Sequence, residues 1–211
     1  MSRPVQPSLF AKMEHMAVTH TQAPTSTAQR ILDVAEQLVQ SRGYHGFSYA
    51  DIAGELAITK ASLHYHFASK AELGEALIER YSARFTEALE RIDSTIPDTG
   101  AKLDSYVGLY TDVLRGERMC LCGMLAAEYQ TLPQPMRGSV IRFFDGNVAW
   151  LASVLADGQS DGTLSFDGTP NDAAQTILSS LQGAMLVARP YGDLARFQAA
   201  AARTLAGLRT P

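Results

Sequence analysis

The chain has 211 residues, a formal net charge of −4, 46% hydrophobic and 19% charged residues, and two cysteines, Cys120 and Cys122. That length supports one large domain, or a small domain beside a larger one, with apolar content for a substantial core. Two cysteines so close together exclude a disulfide framework, no apolar run approaches the roughly 20 residues of a membrane span, and the opening stretch lacks the apolar core of a signal peptide, so a cytoplasmic protein with no membrane partner is expected.

Residues 1–24 contain Pro4, Pro7, Pro24 and many Ser, Thr and Gln. Such a composition cannot bury a core, and a disordered arm is expected there. Its cations Arg3 and Lys12 suit either a plain solvated tail or a basic arm that enters a DNA groove. Residues 25–93 are expected to form a first structural unit and residues 94–211 a second, divided by the Pro/Gly break that follows Asp93. Few stretches look strand-like, and an all-α protein of about nine helices is predicted from the apolar periodicity.

The first helix spans 27–42, with Ile31, Leu32, Ala35, Leu38 and Val39 on one face and Gly43 as its stop. The stretch FSYADIAGELAITKASLHYHFASK, residues 47–70, then predicts two short helices joined by a tight turn. Ser48 and Asp51 form a capping box, Thr59 caps a helix over 60–67, and Ser69 with Glu72 opens a further helix over 70–91. On the second short helix Leu63 and Phe67 face inward, leaving Lys60, Ser62, His64, Tyr65 and His66 outward. An exposed run of hydroxyl, imidazole and cationic groups suits base edges and phosphates, and the arrangement is that of a helix-turn-helix. The overall acidity runs against nucleic-acid binding, but residues 59–70 hold two lysines, two histidines and no acid. Charge location matters more than the sum. His64 and His66, two apart on a helix, point roughly 200° from each other, so they do not chelate a metal as a pair.

Gly43, Ser48, Asp51, Ile52, Ala53, Ile58, Thr59, Lys60, Ser62, Leu63, His66, Phe67, Ser69, Lys70 and Leu73 together match a pattern some fifty residues long. On these residues the stretch resembles the N-terminal domain of the TetR family of bacterial transcriptional regulators. The resemblance implies a double-stranded DNA operator as partner, a recognition helix over 59–66 that includes Ala61, and phosphate contact by Lys70. It also implies a second, helical domain that binds a small-molecule effector and forms a homodimer. His64 departs from the family pattern, which has tyrosine there.

In the second half, helices are predicted over 101–115, 119–131, 135–156, 171–188 and 193–208, with a polar loop over 157–168. Tyr106, Tyr110, Met124, Phe143, Phe144 and Trp150 suit an apolar effector pocket, or equally an ordinary core. Glu128, on an otherwise apolar helix, suits a ligand donor or a salt bridge. Cys120 and Cys122 do not share one face of a regular helix, which disfavours a Cys-x-Cys chelate or bridge. A single thiol there suits either an electrophile or oxidant sensor, its ionisation favoured by Arg118 and the helix N-terminus, or an inert small hydrophobe. The stretch 120–137 is similar to an electrophile-responsive branch of the family. Leu181, Met185, Phe197, Ala201 and Leu205 lie on two apolar stripes, read either as subunit core or, as the resemblance implies, as a four-helix dimer interface.

The function expected is therefore a homodimeric repressor released from an inverted-repeat operator by a small molecule or thiol-reactive signal. The alternative is a ligand-binding protein of the same fold that does not bind an operator. No nucleophile–base–acid set and no metal-ligand spacing appear, so neither an enzyme nor a cofactor or metal is expected.

Overall fold

The computed structural model describes residues 26–208; the arm expected over residues 1–24, with Arg3 and Lys12, lies outside them. The described residues form nine α-helices and no sheet: α1 Thr27–Arg42, α2 Tyr49–Leu56, α3 Lys60–His66, α4 Lys70–Thr95, α5 Thr99–Arg115, α6 Leu121–Ala127, α7 Gln134–Ser160, α8 Pro170–Ala188 and α9 Leu194–Ala206. Short 3-10 turns lie at Tyr129–Thr131 and Arg189–Tyr191. The protein is all-α, with an N-terminal helix-turn-helix and a larger C-terminal helical domain.

Local chemistry sets most helix ends. Ser26 and Gln29 exchange side-chain bonds with each other's backbone N–H at the start of α1, a full capping box. Gly43 ends that helix at φ 84°, a conformation closed to most side chains. Ser69 Oγ accepts the Glu72 N–H at 3.2 Å, but the Glu72 carboxylate accepts from Ala68 N rather than from the cap residue itself.

Helix α4 runs past its expected end at 91 to Thr95, and two further boundaries differ from expectation for tertiary reasons. The helix expected over 119–131 shortens to α6, because the Met119 N–H donates to Gln40 O at the end of α1 and draws Met119 and Cys120 out of the helix. The helix expected to stop at 156 runs on to Ser160. Gly158 stays helical there because it lies against another segment: a Cβ on it would meet Leu164 Cδ1 at 2.5 Å.

The C-terminal domain packs α7, α8 and α9 against α5, with α4 laid along α7. Helix α4 has 26 residues, about 39 Å at the usual rise, and runs from the helix-turn-helix into this domain. Its early turns bury Leu73, Leu77 and Ile78, its later ones Phe85, Leu89 and Ile92. A charged cluster joins it to α1. Glu36, only 7% exposed, receives Arg80 at 2.9 Å and Arg84 at 2.5 Å, and Arg80 also reaches Asp33 at 2.7 Å. Two cations around one buried carboxylate supply the partners that a buried charge requires.

Candidate nucleic-acid interface and effector site

The turn of the helix-turn-helix is set by Ala57, which sits in the left-handed region at φ 52° and ψ 41°. Thr59 follows as the cap of α3, its Oγ accepting the Ser62 N–H at 3.1 Å. The helix α3 anchors itself through Leu63 and, just beyond its end, Phe67, both buried. The opposite face is open: Thr59, Lys60, Ala61, His64 and Tyr65 are exposed, while Ser62 and His66 are half-buried. Tyr65 is 86% exposed, the largest value among the bulky apolar side chains, and its ring meets His66 edge-on. Ser48 is also exposed, but its Oγ and N–H both bond the Asp51 carboxylate at 2.7 Å. His64 packs its ring on Tyr49 at 4.8 Å and pairs Nδ1 with Ala68 O at 3.2 Å. The Tyr49 hydroxyl donates to Phe67 O, and burial pushes its phenol up to about 12.

Lys70 is placed differently from the open cations. Its ammonium donates to Phe47 O and lies 4.7 Å from the Tyr44 ring centroid and 4.1 Å from that of Phe47. Burial lowers its pKa, against the attraction of Glu128 and Asp51. The charge is thus used inside the domain, on the loop between α1 and α2.

Glu128 was expected as a ligand group, or as one half of a salt bridge. It is a clamp between the domains. Its carboxylate accepts the N–H of Tyr44 at 2.6 Å and of His45 at 3.4 Å, across more than eighty residues of chain. Beside it, His45 Nε2 lies 2.9 Å from Thr131 Oγ1, and Arg189 donates to Ser41 O. The end of α1 and the loop after it are therefore held from the C-terminal domain at several points.

Between α4 and α7 lies a groove of about 540 Å³, within the range of small-molecule sites. Phe85, Phe143 and Trp150 form its apolar wall, Asn147 its polar floor, and Glu79, Glu90 and Arg142 part of its rim. Behind the wall a buried chain of hydrogen bonds runs from Tyr110 to Tyr106, from Tyr106 to Asn147 Oδ1 at 2.8 Å, and from Asn147 Nδ2 to Phe143 O at 2.8 Å. Burial raises both phenols, so they act as neutral donors. Trp150 stacks on Tyr106 at 5.5 Å and donates its indole N–H to Asp93 at 2.7 Å. Of the aromatic residues expected at a pocket, Phe143 and Trp150 line this groove, Tyr106 and Tyr110 lie buried behind it, and Phe144 touches it only through the Phe143 ring. Met124, Glu128 and the cysteines lie elsewhere. Asn147 escaped the sequence reading, although a lone amide between Phe143 and Leu151 on one helical stripe was a visible signal.

Two family descriptions match the chain: "Bacterial regulatory proteins, tetR family" over residues 31–77 and "Tetracyclin repressor-like, C-terminal domain" over 101–204. Among solved structures, a TetR-family regulator from Agrobacterium tumefaciens superposes with a TM-score of 0.86 at 33% identity, covering 89% of this chain and all of the other. The chain belongs to the TetR family. It is similar to the repressor DhaR of Mycobacterium sp. (strain GP1), 27% identical over 78% of this chain and 83% of that protein. It is also similar to E. coli NemR, whose reduced form superposes with a TM-score of 0.76 at 27% identity, covering 88% and 99% of the two chains. This TetR-family protein is a DNA-binding transcriptional regulator.

The apolar stripes of α8 and α9 need correction as a dimer surface. Leu181, Met185, Phe197, Ala201 and Leu205 all turn into the subunit's own core, each at most 4% exposed. The outward side of α8 instead carries Leu186 and Val187, 59% and 63% exposed, beside the exposed Gly183. Periodicity found the most apolar stripe, and that stripe is claimed by the nearest core.

Of the two readings open for the cysteines, the structure fits the buried small hydrophobe. Both are fully buried. Burial pushes the Cys122 thiol well up and outweighs, at Cys120, the N–H groups of Gly123 and Cys122, Gln182 and the Tyr81 hydroxyl 3.8 Å away, so that thiol is raised as well. Arg118 points elsewhere, to Gln40 Oε1 at 3.4 Å. Ionisation is disfavoured at both sulfurs.

Proposed function

We propose that this TetR-family regulator is a homodimeric repressor that reads an inverted-repeat operator with α3 from each subunit and leaves it when a small molecule enters the α4–α7 groove. The observation that carries the reading is α3 itself: a seven-residue helix held by Leu63 and Phe67, with Lys60, Ala61, His64 and Tyr65 turned to solvent. Lys60 supplies phosphate contact, while Thr59, Ser62, Tyr65 and the two histidines supply base-edge and sugar contacts. Ser48 and Lys70 act through position, the first by fixing α2, the second by bracing the preceding loop. Relatives named as repressors, DhaR and NemR, favour repression over activation.

Two-fold pairing uses the outward faces of α8 and α9, with Leu186 and Val187 central. It places two copies of α3 on successive half-sites and multiplies affinity. Residues 26–93 act as the reading unit and residues 94–208 as the sensing and pairing unit. Helix α4 couples the two. It forms one wall of the groove and begins directly behind α3, so an occupant that spreads α4 from α7 moves α3. The effector acts only through its differential affinity for the two arrangements, and DNA therefore weakens effector binding by the same factor.

A mobility-shift assay on fragments from around the protein's own gene tests this, repeated across a salt series. Salt-sensitive binding that is weakened in Lys60→Ala and Tyr65→Ala supports it. Binding that is absent at low salt, with the protein folded, sinks it and favours a ligand-binding protein of the same fold. One observation supports a second input. Cys120 Sγ accepts the Tyr81 hydroxyl at 3.8 Å, and a solved relative is described as a reduced form. An oxidant effect on DNA release that survives Cys120→Ser removes this second input.

A further inference from the structure

A second cavity, of about 440 Å³, lies at the other end of the C-terminal domain, between the end of α5 and the turn joining α8 to α9. Three arginines line it, Arg115, Arg118 and Arg189, with Leu114 and Leu194 as apolar wall. Arg115 is already paired with Asp112 at 2.6 Å. Arg118 and Arg189 have no carboxylate at ion-pair distance among the described residues. Arg118 holds only Gln40 Oε1, at 3.4 Å, and Arg189 holds Ser41 O and Met124 Sδ, the latter at 3.2 Å. Of the acids at the rim, Asp193 is engaged as the cap of α9 and with Arg196 at 3.3 Å. Glu117 is exposed and sits in the left-handed region at φ 56°, in the turn that directs Arg118 inward.

We propose that this cavity is a binding site for a small organic oxyanion, a carboxylate or phosphate monoester on an apolar body, distinct from the α4–α7 groove. The two unpaired guanidiniums offer forked donors of the kind that suit such a head group, and the leucines receive the body. The site is wired to the DNA-reading unit, because both guanidiniums now hold the last turn of α1. An anion is a stronger acceptor than a carbonyl or amide oxygen. Its arrival draws Arg118 and Arg189 off Gln40 and Ser41, loosens the seat of α1 and lowers DNA affinity. That last effect rests on the operator reading; the anion site does not.

The test is calorimetric titration of the full-length protein with benzoate and with phenyl phosphate, each against neutral benzamide, at constant ionic strength. At least one anion is expected to bind where benzamide does not. Arg118→Gln and Arg189→Gln each weaken it by about tenfold or more, the loss of one charge-assisted contact. Glu117→Gln tightens it, and Arg142→Gln, at the other groove, leaves it unchanged. Arg189→Lys, with its melting curve recorded, separates loss of the site from loss of the fold by restoring part of the affinity. The proposal is overturned if neither anion outbinds benzamide, or if the affinity is equal in the arginine variants. A DNA-binding assay forms the second arm. Anion binding that leaves DNA affinity unmoved overturns the coupling. A protein that binds anion but no DNA under any condition overturns the operator reading and leaves the site standing.

Discussion

The clamp at Glu128 makes a claim about energy that can be measured. In Glu128→Ala the Tyr44 N–H, on a residue only 4% exposed, loses a 2.6 Å charged acceptor, and the His45 N–H loses a longer one. Leaving one such donor unmatched costs about 2 kcal/mol, which for a chain of this size lowers the melting temperature by roughly 4–8 °C. Gly43 supplies the partner perturbation. At φ 84° and ψ 171° an alanine is strained by about 1–3 kcal/mol, and its Cβ falls 2.7 Å from Glu128 Oε1, pushing the carboxylate off its donors. Gly43→Ala therefore removes the clamp as well as straining the backbone, and in Glu128→Ala only the strain remains to be felt. Urea unfolding of the two single variants and the double variant, followed by circular dichroism, should give a double-variant loss smaller than the sum by about 1 kcal/mol or more. Additivity within about 0.3 kcal/mol would falsify the clamp, as would a Glu128→Ala protein as stable as the parent.

Other outcomes follow from single sites. Ala57→Gly relieves a left-handed alanine in the turn before α3 and should raise stability by about 1 kcal/mol in the same unfolding assay, a loss being the contrary result. Lys60→Ala should leave the melting temperature unchanged and make the salt slope of DNA binding shallower by about one, whereas Lys70→Ala should lower the melting temperature, because its ammonium is bound to Phe47 O within the domain. If the two variants exchange these signatures, the division of roles is wrong. The pH dependence has a definite sign. Cys120 and Cys122 are raised above their ordinary value of 9.0, and Tyr81, Tyr106 and Tyr110 above 10.0, all by burial. For groups raised in the folded state, stability is complete below the unfolded pKa and is lost as pH rises towards the folded one. Denaturation midpoints should thus hold level to about pH 9 and fall above it, and Cys122→Ala should make that fall shallower; a fall unchanged by that substitution would deny the thiol its part.

Much of this molecule was legible from spacing and caps alone. Ser48, Thr59 and Ser69 lie where their helices begin, Gly43 where α1 ends, and the inward pair Leu63 and Phe67 separates the two faces of α3. These are local rules: a cap satisfies its own helix, and helical period sets the angle between side chains on one axis. Period says nothing of which surface an apolar face will meet. Leu181, Met185 and Phe197 entered the subunit core and left Leu186 and Val187 outside, a choice made by packing α8 and α9 on α5 and α7. Lys70 and Glu128 were visible as charges, but the partners that engage them, Phe47 O and the Tyr44 N–H, are backbone atoms placed by the fold and carry no side-chain signature. The same holds for Cys120 and Cys122. Spacing treated them as two positions on one helix, whereas Cys120 lies outside α6 as its cap, and burial, a property of everything packed around them, set the direction in which their thiols titrate.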